Sequence, residues 1–155
     1  MNTIWAPWRM EYITKPKENS CIFCSAPADG DHLILKRDTR CFSIMNRFPY
    51  TTGHCMVAPY RHIGDLHKLE NEELYDILDM VRDIVSAIQI SMNPQGFNIG
   101  CNIGTVAGAG IAEHIHFHVV PRWSGDTNFM PVISDVHVIS EHIEKTLLKI
   151  KENLP

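Results

Sequence analysis

The stretch His114-Ile115-His116-Phe117-His118-Val119 constrains this chain more than any other six residues. Its polar and apolar residues alternate strictly, and a β-strand is the backbone that sorts two such sets onto opposite faces. The strand is read from Ile115 to Pro121, in a sheet whose core receives Ile115, Phe117 and Val119. The three imidazoles then line the other face at steps of about 6.6–7 Å. Polar groups in such a row need partners: water, carboxylates, a metal or an anionic ligand.

The rest of the chain supplies the sheet around that strand. Leu33-Ile34-Leu35, Cys41 to Met45, His54 to Ala58 and Gly96 to Asn102 read as four more strands, with Lys36-Arg37-Asp38 as the turn between the first two. Leu74, Ile77, Leu78, Val81, Ile84, Val85 and Ile88 recur at helical spacing, with Asn71 placed to cap the start and Pro94 just beyond the end. A closing helix runs from about Ser140, with Ile143, Leu147 and Ile150 on its buried side. No βαβ alternation appears, so the expected class is α+β: an antiparallel sheet whose apolar face the long helix covers. The 155 residues make one domain, with an N-terminal extension over 1–30 and a C-terminal helical segment over 132–155. Residues 15–31 read as its loosest part, because Pro16, Pro27 and Gly30 punctuate them.

Composition narrows the partners. A net charge of −4 and a pI near 6.1 provide no basic footprint for nucleic acid. No apolar run approaches the ~18 residues of a membrane span. Met1-Asn2-Thr3-Ile4-Trp5 lacks the layout of a signal peptide, so a cytoplasmic chain is expected. Five cysteines are an odd count for a disulfide framework. Cys41, Cys55 and Cys101 sit among apolar neighbours and read as buried thiols. Cys21-Ile22-Phe23-Cys24 reads as half of a metal clamp or as a redox pair.

Three readings of the histidine row compete. It can be a solvated strand face. It can be a metal site, although the outer pair lies about 13 Å apart at Cα, too wide for all three to share one ion. It can also work on anions, since neutral imidazole is a nucleophile near pH 7 and imidazolium binds phosphate or acts as a general acid. The loop Asn102 to Gly110, with glycines at 104, 108 and 110, fits the third reading. Such a loop lets backbone N–H groups approach phosphate oxygens, and it fits an ordinary flexible turn too. Arg122 adds a cation nearby.

His114-Ile-His116-Phe-His118-Val-Val120 fits the His-x-His-x-His-apolar-apolar signature of the histidine triad family, which the chain resembles. Asn46-Arg-Phe-Pro-Tyr-Thr-Thr-Gly53-His54, then Val57-Ala58-Pro59, and Asn102-x-Gly104 extend the resemblance over about residues 21–122. It implies a five-stranded antiparallel sheet, commonly paired into a homodimer, and an enzyme acting at the α-phosphate of an adenine nucleotide. It further implies His116 as a nucleophile that takes up the nucleotidyl group, His118 on phosphate oxygen and His54 as support. Asn46 would bind ribose hydroxyls and Asn102 the phosphate or scissile oxygen. Ile44 and Phe23 fit a purine slot and fit core packing equally well. Where many relatives carry Gln or Ser in the loop, this chain has Gly108-Ala109-Gly110-Ile111, which leaves that contact to the backbone amides of Gly108, Ala109 and Gly110.

Two segments narrow the likeness further. Trp5-Ala-Pro-Trp-Arg9 with Tyr12, and Arg122 to Pro131, resemble the bacterial members that phosphorolyse diadenosine tetraphosphate. In zinc-containing members, Cys21 and Cys24 would be joined by His62 and His114 around a structural Zn2+. An adenosine phosphoramidase, a nucleotide-binding module with little turnover, and a zinc-dependent hydrolase using His114 and His116 are the other activities considered. His32, His67, His137 and His142 read as surface residues.

Overall fold

His118 lies at the middle of a sheet, and the register shows how. In the computed structural model, which describes residues 21–30, 32–126 and 139–155, it pairs with Met56 on one side and Gly100 on the other. The strands are β1 (Ile34–Arg37), β2 (Cys41–Met45), β3 (Cys55–Pro59), β4 (Gly96–Cys101) and β5 (Phe117–Arg122). They form one five-stranded antiparallel sheet in the order β1-β2-β3-β5-β4. One cross-strand row runs Ile44, Met56, His118, Gly100, and the next, on the opposite face, runs Met45, Cys55, Val119, Ile99. The α+β expectation holds.

The helices are α1 (Ile22–Asp29), α2 (Asn71–Met92) and α3 (Ile143–Lys151). Helix α2 packs across β2, β3 and β5, and α3 packs on α2 and β1. The buried stripe of α2 is Ile77, Met80, Val81, Ile84, Ala87 and Ile88, whereas Leu78 is exposed. Its N-cap is Glu70 rather than Asn71, because the Glu73 carboxylate accepts the Glu70 N–H in a capping-box arrangement. Asn93 closes α2 in the left-handed conformation ahead of Pro94.

Three further boundaries differ from the sequence reading. Residues 22–29 are helical rather than loose: Pro27 sits inside α1, and Gly30 (φ 70°) caps it. Lys36 and Arg37 belong to β1 instead of its turn. Strand β5 begins at Phe117, two residues late, because the Ile115 N–H is taken by the Ile63 carbonyl beyond the end of β3. The closing helix starts at Ile143, with Leu147 and Ile150 buried as expected. Trp5, Trp8, Tyr12, His137 and residues 127–131 lie outside the described residues. Among those described, no helix is long and apolar enough to cross a membrane.

Candidate active site and metal cluster

Hydrogen-bond partners fix the chemistry of each histidine. The Nδ1–H of His116 donates to the His114 carbonyl oxygen at 2.9 Å. Its lone pair is therefore on Nε2, the nitrogen that can attack an electrophile. The His116 ring lies 4.6 Å from that of Phe23 and 4.9 Å from that of His118. His54 and His118 are joined through Nε2 and Nδ1 at 2.8 Å. The Tyr50 ring lies 4.6 Å from His54 and 5.9 Å from His118.

Burial keeps this cluster neutral. Desolvation pushes His54 down to about 3, helped by the neighbouring His118 and His116. Desolvation likewise brings His118 down to about 4, and it lowers His116 against the raising effect of the His114 carbonyl. The unfolded chain, with ordinary histidines near 6.5, takes up protons first as pH falls. Stability from His54 and His118 is thus complete above about pH 6.5 and declines below it. Each should cost about 2 kcal/mol between pH 7 and pH 5. Urea midpoints across that interval measure the loss, and a flat midpoint would contradict it.

His114 serves a different task. Its Nε2–H donates to the Pro59 carbonyl at 2.8 Å, so Nδ1 carries the lone pair. That nitrogen lies 3.3 Å from Cys21 Sγ and 3.6 Å from Cys24 Sγ, and His62 Nδ1 lies 3.4 Å from Cys24 Sγ. All four donor atoms fall within 4.8 Å of one another. Tetrahedral coordination with bonds of about 2.0–2.3 Å separates ligands by somewhat under 4 Å, so the residues fit a metal ion. Desolvation, followed by the Cys21 thiol, raises Cys24, so binding a metal there must displace a proton. Cys41 is pushed up to about 12 by burial and Cys55 is raised too, which makes both unreactive thiols.

The family model described as the HIT domain matches residues 29–125, which includes the histidine strand, the Gly53-His54 turn and α2. The chain belongs to the HIT domain family. It is 34% identical to the AP-4-A phosphorylase of Mycobacterium tuberculosis over 94% of this chain and 80% of that protein. It is 32% identical to the adenosine 5'-monophosphoramidase hnt1 of Schizosaccharomyces pombe over 66% of this chain and 74% of that one. Among solved structures, a Zn-bound histidine triad family protein from Mycobacterium smegmatis superposes with a TM-score of 0.70. It is 27% identical and covers 86% of this chain and 92% of its own.

Within this HIT domain the glycine loop differs in detail from the sequence reading. Thr105–Ala107 form a single 3-10 turn between Gly104 (φ 82°) and Gly108 (φ 89°). The N–H groups of Gly108 and Ala109 close that turn on the carbonyls of Thr105 and Gly104. The Gly110 N–H has no protein acceptor among the described residues, so it is the amide of the three left for a ligand. Asn102 donates to the Gly108 carbonyl at 3.4 Å, and Arg122 is held by Asp126 and Asn98. Ile44 is buried in β2 on the face of His118. A cavity of about 710 Å³ opens between Cys21, Cys24 and His62 on one side and Thr105 and Gly110 on the other, apart from His116 and His118.

Sequence reasoning passed over Gly64. A Cβ there would lie 2.4 Å from the Ala112 carbonyl oxygen, a backbone atom that cannot swing aside. This close approach lets the Ile63 carbonyl accept the Ile115 N–H at 2.7 Å, which holds His62 beside His114. Arg61 anchors the same segment to α2 through a two-point contact with the buried Glu73 carboxylate. Gly64→Ala should lower stability by about 2–4 kcal/mol, read from urea unfolding. An unchanged midpoint would show that the two segments separate without cost.

Proposed function

We propose that this chain cleaves dinucleoside polyphosphates at the adenosine α-phosphate through a covalent nucleotidyl-His116. The observation that carries this reading is the lone pair on buried His116 Nε2, fixed by the His114 carbonyl and set beside His118. In the first step the Nε2–phosphorus bond forms as the bond to the leaving phosphate oxygen breaks. A second nucleophile then reverses the displacement and frees His116. His118 holds the phosphate oxygen and His54 supports it. Asn46 meets the ribose, Asn102 and the Gly110 amide meet the phosphates, and Ile44 and Phe23 border the base. Donors in a site of low polarity stabilise the charge that builds on phosphorus.

The likeness to the AP-4-A phosphorylase favours phosphate as the second nucleophile. Incubation with diadenosine tetraphosphate, with and without inorganic phosphate, tests this by mass analysis of the products. ADP formed only with phosphate is the expected result. AMP and ATP formed in either case would mean hydrolysis. The likeness to an adenosine 5'-monophosphoramidase supports the second reading, that adenosine phosphoramidates are the substrates.

Zinc is the ion proposed for Cys21, Cys24, His62 and His114, in keeping with their N and S donors and with the zinc-bound relative. Four protein ligands leave no open position, so the ion would hold the fold together. The working unit is proposed as a homodimer of one-domain chains in the cytoplasm, with adenine nucleotides as partners and neither nucleic acid nor membrane.

A further inference from the structure

His116 lies one residue beyond the ladder that holds its neighbours, since pairing in β5 begins at Phe117. Its Nδ1–H bond to the His114 carbonyl selects the free nitrogen but ties the ring to its own segment. The ring can rock about that bond unless another part of the chain confines it. Phe23 supplies a wall: its ring lies 4.6 Å from that of His116, tilted by 31°, and 5.3 Å from that of His114. Only 1% of Phe23 is exposed, which leaves it little surface to offer a base.

Phe23 is held in its turn by the Cys/His cluster. It sits on α1 between Cys21, the N-cap, and Cys24, in the first turn. Eight residues do not sustain a helix alone. Cys21 makes no side-chain cap, and no acidic residue occupies the first turn. Among the described residues, α1 packs broadly against no other helix or strand. Beyond the core contacts of Phe23 and Ala26, its first turn is anchored by two thiols. Cys21 Sγ lies 3.3 Å from His114 Nδ1, and Cys24 Sγ lies 3.4 Å from His62 Nδ1.

We propose that Phe23 is a positioning residue that carries the order of the Cys21, Cys24, His62 and His114 cluster to the His116 ring, aiming Nε2 at phosphorus. The proposal rests on His116 as the nucleophile and goes beyond it, because it links a structural metal site to the rate of attack. The two duties of Phe23 predict different losses. A wall for the base acts on KM, whereas a wall for the nucleophile acts on kcat.

A ring packed this closely shifts the C–H protons of His116 upfield, so their NMR signals gauge the contact. In the whole chain loaded with zinc, without nucleotide, Hε1 and Hδ2 of His116 should lie upfield of an ordinary histidine. Chelation, carried out below the melting temperature of the metal-free chain, should broaden them and move them back, while signals from β2 and β3 stay in place. Phe23→Leu keeps an apolar residue in the core but removes the ring. Loaded with zinc, it should lose the upfield shift and lower kcat about 100-fold, with KM changed far less. His116 signals that are the same with and without zinc would overturn the proposal, and that comparison needs no variant to fold. So would a Phe23→Leu chain that melts lower yet keeps the parent kcat, or a loss confined to KM. The expected spectra from a chain that cleaves no nucleotide would instead refute the function proposed above.

Discussion

Replacing His116 with alanine should slow nucleotide cleavage by a factor on the order of 10⁴–10⁶ while leaving the chain folded. The reason is the distribution of lone pairs along the histidine row. His114 directs its own toward Cys21 and Cys24, and the Tyr50 N–H on His54 Nδ1 leaves the His54 proton on Nε2, where it takes up the lone pair of His118 Nδ1. Only His116 presents a lone pair that no residue of the row has claimed. Alanine also leaves the His114 carbonyl without its donor and removes a ring from Phe23. That should cost about 1–3 kcal/mol, against a total of about 5–15 kcal/mol for a domain of this kind. Kinetics together with a urea melt separate the two effects. A variant that turned over diadenosine tetraphosphate at the parent rate would remove His116 from the mechanism.

The second large effect is on stability. Cys21 caps α1, Cys24 lies in its first turn, and Phe23 between them packs on His114 and His116. Three tethers thus converge on one short helix, whose own eight residues are too few to hold it. At a free zinc concentration a thousandfold above Kd, linkage is worth about 4 kcal/mol. At about 2–4 °C per kcal/mol for a chain of this size, chelation should lower Tm by about 10 °C. Activity should fade as α1 loosens rather than stop at the moment of chelation. Cys24→Ser should reproduce the loss of Tm. An unchanged Tm, with no metal bound by the purified chain, would show that the cluster holds only thiols.

The elements legible in the sequence are those specified by local pattern. Strand β2 and the end of α2 lie where the apolar runs and Pro94 put them. The three histidines do lie near one another, but the strand that carries them starts later than the alternation suggests. Pairing in β5 begins only at Phe117, because the Ile115 N–H is spent on the Ile63 carbonyl instead of a continued ladder with β3. Helix α1 was hidden by Pro27 and Gly30, read as breakers where Gly30 is a left-handed cap. Gly64 carries no local signal, since its need for a bare Cα comes from residues 112–113, far along the chain. Likewise the spending of the Gly108 and Ala109 amides on their own turn follows from backbone geometry that residue types do not encode.

The central claim, a nucleotide carried on His116, is tested most directly by trapping it. The protein is mixed with diadenosine tetraphosphate without inorganic phosphate, quenched rapidly, and weighed intact before digestion locates any added group. The account predicts one adenylyl group per chain, on His116, labile to acid and absent from His116→Ala. Turnover with no trapped adduct, or an adduct on another residue, would contradict it.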